Sequence, residues 1–259
     1  MSAIHRWYTP AAVRFTRDAE DWGTAPRKAL MLALLPFGIA LVVAATLPFR
    51  EFYLWLLDED SVVEWLQFLC LLGASIFLPL ITLRLLRAGH LGMALLYGLV
   101  TLGVWFLAGE EISWGQRIFG WDTPGDLEAV NRQGETTLHN IRGVQDLVPY
   151  AMLLASLYGA CAPLVAAAVG TRWERVASRQ LLVPPLFLVS AFLLPAGYRL
   201  FRLLIWPEPT FVLSEYGEAM ELCLYLGLTV FCWLNLRRLR QQRPELGDRD
   251  LPHSVPRRP

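Results

Sequence analysis

The feature that most constrains this chain is the recurrence of uninterrupted apolar runs about as long as a bilayer core is thick. Roughly 20 apolar residues are needed for a helix to cross that core. Six runs meet the requirement: Ala29 to Pro48, Val62 to Leu83, Leu91 to Ala108, Leu147 to Val169, Leu181 to Trp206 and Phe211 to Leu236. Composition agrees, because 55% of the residues are hydrophobic and 18% are charged. Soluble domains carry about 25% charged residues, so this chain has too little polar side chain to cover a surface exposed to water. The predicted fold class is therefore all-α, a polytopic bundle of six transmembrane helices. Nucleic acid is excluded as a partner by a net charge of zero and by the lack, outside the tail, of basic runs interleaved with aromatics.

An even number of spans puts both termini on one side, and the basic residues say which. Seventeen of the 23 Lys and Arg fall in the two tails and in the turns on the side of the termini. By the positive-inside rule both termini are expected in the cytoplasm. The acidic residues divide the other way, seven on that side and sixteen in the spans and on the outer side, so neutrality is a sum of opposites across a membrane. A cleaved signal peptide is the competing reading of the first run. Its leader would carry Asp18, Glu20 and Asp21, unlike a short basic n-region.

The expected organisation is a cytoplasmic N-terminal tail over 1–28, a six-span domain over 29–240 with a long outer loop at 109–146, and a disordered cytoplasmic tail over 241–259. Trp7, Tyr8, Phe15 and Trp22, interspersed with arginines, suit either a short interfacial helix or a loosely ordered tail. The four cysteines, Cys70, Cys161, Cys223 and Cys232, lie inside apolar runs and read as small packing residues.

Polar residues concentrate on the predicted outer side. The loop opens Gly109-Glu110-Glu111-Ile112-Ser113-Trp114-Gly115-Gln116-Arg117 and continues to Asn131, Gln133, Glu135, His139 and Asn140. Two adjacent carboxylates at the end of an apolar helix need cations, water or donors to compensate them. If the third span continues as a helix, Glu110, Ser113, Trp114 and Arg117 share a face. Otherwise Glu110 pairs locally and the tryptophans are interfacial belt residues. Glu64 lies just inside the second span, and Glu215, Glu218 and Glu221 recur every three residues in the sixth. Arg199 and Arg202 stand one turn apart beyond Pro195 and Gly197, a pair expected to kink or unwind the fifth span. These arginines either neutralise Glu218 and Glu221 as a fixed network or form part of a working pocket.

His139 is the sole histidine expected on the outer side, so a zinc site with two or more histidines is excluded within one chain. One histidine with several carboxylates remains compatible with a divalent metal. No G-x-S-x-G elbow supports Ser113 or Ser214 as a nucleophile. Glu110, Glu111 and His139 are the catalytic candidates, through general acid and base chemistry of closely spaced carboxylates. Gln116, Asn131, Gln133, Glu135 and Asn140 would orient a substrate, and Arg117, Arg199 and Arg202 would hold an anionic head group. Glu64, Glu218 and Glu221 would form a relay.

The run GEEISWGQRIFGW at Gly109 to Trp121, with Asn131, Gln133 and Glu135 and then Leu138-His139-Asn140, resembles multi-span bacterial inner-membrane proteins of unassigned function. Glu59 to Trp65 resembles the same group. The resemblance implies a bacterial inner membrane and brings no activity. Three readings stay open: an enzyme or binder of a lipid-linked or anionic amphipathic substrate, with membrane lipid as its partner; a small proton-coupled transporter or channel; and an accessory subunit of a membrane complex.

Overall fold

The computed structural model describes residues 11–58, 61–128, 136–138, 141, 146–169, 179–207 and 210–241. Its helices are α1 (Ala11–Asp21), α2 (Pro26–Thr46), α3 (Arg50–Leu57), α4 (Val62–Arg87), α5 (Leu91–Glu111), α6 (Gln116–Phe119), α7 (Gly125–Glu128), α8 (Val148–Val169), α9 (Arg179–Leu182), α10 (Val189–Leu204) and α11 (Phe211–Gln241). Among the described residues, six helical segments are long and apolar enough to cross a membrane, one for each of the six predicted runs. The chain is all-helical and multi-pass.

Local chemistry sets the ends. Pro26 occupies the first turn of α2, where its missing N–H costs nothing. Ser61 caps α4 by accepting from the Glu64 amide at 3.2 Å. Arg84 and Arg87 close the same helix at its negative dipole end. Between α2 and α4 the sequence reading held no element, yet α3 forms there. It buries Tyr53 and Leu57 and leaves Phe52 stacked on Trp55, both half-exposed. That division suits a helix lying at a membrane interface.

The last helix is the hub. α11 packs against α2, α3, α4 and α10, whereas α8 joins the bundle through α10. Lipid supplies no hydrophobic drive between helices, so close approach through small residues matters. A Cβ placed on Gly159 would stand 2.3 Å from the Phe192 ring, and one on Gly227 would stand 2.9 Å from the Ala191 Cβ. Phe192 of α10 is thus seated between glycines of α8 and α11. Outward, Leu34, Leu41, Leu95, Leu99, Leu102 and Leu154 stay exposed on α2, α5 and α8, the faces a bilayer would cover.

Both ends of the described chain meet at one end of the bundle. The Arg237 guanidinium, near the end of α11, donates to the carbonyls of Trp22 and Gly23, at 3.0 Å for the latter. α1 is a helix, as one expectation had it, but Trp22 is 3% exposed against Phe231 and beneath Arg238, so it is a packing residue and not a headgroup anchor. Trp7 and Tyr8, and the tail beyond 241, lie outside the described residues.

The fifth span departs from expectation. It does not unwind at Pro195 and Gly197: α10 stays helical through both, with Pro195 buried. The break comes earlier, at Val183-Pro184-Pro185, all three buried, between α9 and a 3-10 turn at Leu186–Leu188. Two consecutive prolines remove two donors and cannot sit in a helix interior. The freed backbone is satisfied by side chains. Tyr97 donates to the Leu181 carbonyl at 2.5 Å, Tyr158 to the Leu182 carbonyl at 2.8 Å, and the Asp18 carboxylate accepts from the Leu186 amide at 2.7 Å.

Gly159→Ala is expected to cost about 1 to 3 kcal/mol, because a ring packed on two sides cannot yield the space. Gly103, with no atom within 4 Å of an added Cβ, serves as the control. Thermal unfolding in detergent should show a lower midpoint for Gly159→Ala and none for Gly103→Ala.

Candidate functional site

The helix α5 ends at Glu111, and a tight turn follows the two adjacent carboxylates. Ser113 and Trp114 have φ of 47° and 55°, and Gly115 has φ of 85°. Left-handed backbone in a non-glycine residue costs on the order of 1 kcal/mol, so this turn must be held by its contacts. Of the two readings left open for this segment, the continuous helical face of Glu110, Ser113, Trp114 and Arg117 is therefore absent. Trp114 instead folds back over Gly109, where a Cβ would meet the indole at 2.9 Å, and packs edge-on against Phe106.

Glu110 holds this arrangement. It is 3% exposed; one carboxylate oxygen accepts from the Trp114 indole N–H at 2.6 Å and the other from the Leu138 amide at 2.7 Å. Gln116 acts beside it, donating to the Thr123 hydroxyl at 2.7 Å and accepting from the Thr136 amide at 2.8 Å. Both side chains tie the far part of the loop to the end of α5. Charge-assisted bonds to a carboxylate are the strong kind, which explains a buried glutamate here. Much of the GEEISWGQRIFGW run is thus loop architecture, with Phe119 and Trp121 stacked on each other beside Gly115.

Glu111 points elsewhere. One residue on, and so about 100° around the helix, its carboxylate accepts a hydrogen bond from Tyr225 of α11 and lies within electrostatic reach of Glu221, Glu218 and Glu64. Glu218 and Glu221 stand in the second and third turns of α11, and Glu64 in the first turn of α4. Gln67, one turn beyond Glu64 and fully buried, donates to the Glu218 backbone carbonyl at 2.8 Å and to its carboxylate at 3.1 Å. Arg199 of α10 pairs with Glu221 and is 12% exposed in its side chain. Arg202, one turn along, donates to the Tyr198 hydroxyl at 3.1 Å, and Tyr198 in turn donates to the Leu213 carbonyl at 2.7 Å.

Four spans therefore bring Glu64, Glu111, Glu218, Glu221, Arg199 and Arg202 to the end of the bundle opposite the contact of Arg237 with Trp22 and Gly23. The sequence groups are redistributed. Glu111 joins the expected relay and leaves the expected pairing with Glu110, which faces the loop. Asn131, Gln133, Glu135, His139 and Asn140 lie outside the described residues, and so does the Arg117 side chain. Among the described residues, no group of three or more His, Cys, Asp or Glu is arranged to hold a metal ion.

Gln67 and Tyr225 were missed, although the signal was present. Glu64 with Gln67, and Glu218 with Glu221 and Tyr225, follow spacings of three, three and four residues, which keep polar groups on one helical face. No protein-family model, curated protein or solved structure matches this chain.

Glu110→Gln replaces one acceptor oxygen by an NH2 that meets an N–H donor. The loss is expected at about 2 kcal/mol, the usual worth of a bond to a buried charge. Amide hydrogen exchange at Leu138 should quicken about thirtyfold relative to wild type, with helical amides of α4 unchanged.

Proposed function

We propose that this protein is a proton-linked membrane carrier in which the cluster of Glu64, Glu111, Glu218 and Glu221 binds and releases protons. The observation that carries the reading is the convergence of these carboxylates from three spans, beside the Arg199–Glu221 ion pair and the Gln67 carboxamide. Like charges repel strongly where the dielectric is low, and binding a proton or another cation relieves that repulsion. Ionisable side chains within spans are rare, face the bundle interior and mark ion pathways and proton relays. Tyr225 and Gln67 supply donors that hold two of the carboxylates in place, while Arg199 orients a third.

The carrier reading gains over the enzyme reading from the loop. Glu110, with both oxygens engaged, is committed to architecture, so the reactive pair imagined for acid and base chemistry is divided. The charge distribution supports both chain ends in the cytoplasm and the cluster toward the outer face, the exposed apolar flanks suit lipid, and the resemblance of the Gly109–Trp121 run suggests a bacterial inner membrane.

Purified protein in liposomes loaded with a pH-sensitive dye should acidify its lumen when an outward-to-inward proton gradient is imposed under a potassium clamp. Glu221→Gln and Glu218→Gln should each abolish the signal. Wild-type acidification in both variants would overturn the proposal. For orientation, Gly125→Cys should react with an impermeant maleimide on intact cells; reaction only after lysis would reverse the assignment.

A further inference from the structure

The last helix carries polar side chains well beyond the carboxylate cluster. At 100° per residue, Glu218, Glu221, Tyr225, Thr229 and Asn235 fall within an arc of about 120° on α11, a seam about 26 Å long at 1.5 Å per residue. That length nearly equals the hydrocarbon core. Two of the members, Tyr225 and Asn235, are buried, at 3% and 1% exposure. A buried polar stripe is costly on the innermost helix of a membrane bundle, where apolar residues would pack as well.

Each end of the seam also holds an acceptor without a donor. Near the cluster the Gln67 Oε1 is buried and unpartnered, although its Nε2 is bonded to Glu218. At the opposite end the Asn235 Oδ1 is buried and unpartnered, while its Nδ2 donates to the Tyr97 hydroxyl at 3.4 Å. Tyr97 leads to the broken backbone of the fifth span through its bond to the Leu181 carbonyl. Buried acceptors in native proteins find a hydrogen bond, and where protein supplies none an ordered water does. Non-helical backbone at membrane depth is likewise kept where it is enclosed by protein or lines a hydrated cavity.

We infer that the Glu221–Tyr225–Thr229–Asn235 seam is a hydrated proton path joining the carboxylate cluster to the end of the bundle where Arg237 meets the carbonyls of Trp22 and Gly23. The inference rests on the carrier reading and adds the route by which protons reach the second side. A proton entering beside Asn235 is handed along ordered waters. At Tyr225 the hydroxyl accepts one proton and releases another to the Glu111 carboxylate, to which it is hydrogen-bonded. No electrons move, and the proton leaves from the cluster to the opposite aqueous phase. The titratable and charged groups around the receiving end are Glu64 on α4, Glu111 on α5, Arg199 and Arg202 on α10, and Glu215, Glu218 and Glu221 on α11.

The test uses the full chain in dye-loaded liposomes with an imposed pH gradient. Tyr225→Phe, which keeps the ring and removes the hydroxyl, and Asn235→Leu should each slow proton flux about tenfold or more, the rate equivalent of one lost hydrogen bond. Asn235→Ser should recover flux, and Thr82→Val, whose hydroxyl bonds within its own helix at 3.0 Å, should leave it unchanged. Infrared carboxyl bands should still respond to pH in Asn235→Leu, as the cluster itself is intact. If Tyr225→Phe and Asn235→Leu conduct at the wild-type rate while Glu221→Gln does not, the path is refuted and the carrier reading stands. Absence of flux in the wild type overturns both. Should Asn235→Leu fail to fold, the rate of Tyr225→Phe decides.

Discussion

The seat of Phe192 between Gly159 and Gly227 is the contact on which the bundle depends. It joins α8 to α10 and α10 to α11 by letting backbones approach to distances that any side chain would forbid. In a bilayer such fit replaces the hydrophobic drive that holds soluble helices together. It also places the charges. Arg199 stands two turns beyond Phe192 on the same helix, and Glu221 stands six residues before Gly227, so the close crossing brings guanidinium and carboxylate together. A looser crossing would leave both charged groups in an apolar surrounding without partners, which is far costlier than the missing packing.

The same economy governs the backbone. The Pro184-Pro185 break would be prohibitive in lipid, yet it is enclosed and its free groups are met by Tyr97, Tyr158 and Asp18. Asp18 belongs to the helix that precedes the first span, so that segment is part of the domain's packing. Arg237 fastens the far end of α11 to the carbonyls just after it. The first helix, the broken span and the last helix therefore form one hydrogen-bonded assembly at one end, and the carboxylate cluster occupies the other. α11 runs between them as the most enclosed span of the six.

The span count was legible because apolar length is a property of local sequence. The fate of Glu110 and Glu111 was not. As neighbours they suggested a single reactive pair, but a helix turns about 100° between consecutive residues, and the left-handed turn at Ser113 and Trp114 determines what each one meets. Bulky residues seldom adopt that conformation, so the sequence left a continued helix and a local turn both open. Trp114 adopts it because its indole finds both Gly109 to lie upon and Glu110 to bond. Pro195 does not mark the unwinding that the sequence allowed there. A proline in a buried helix is tolerated when neighbours fill in, and the true interruption needed two prolines in succession.

Sequence alone determined that this chain is a helical, multi-pass membrane protein, because crossing an apolar layer requires about 20 apolar residues per helix and little else. It also determined that carboxylates gather toward one side, since the order of spans assigns every charge to an end. Which carboxylates meet was decided only by tertiary structure. Glu64, Glu111, Glu218 and Glu221 are scattered over 158 positions of the chain, and helix rotation and close glycine contacts, which no local pattern encodes, turn them toward one another.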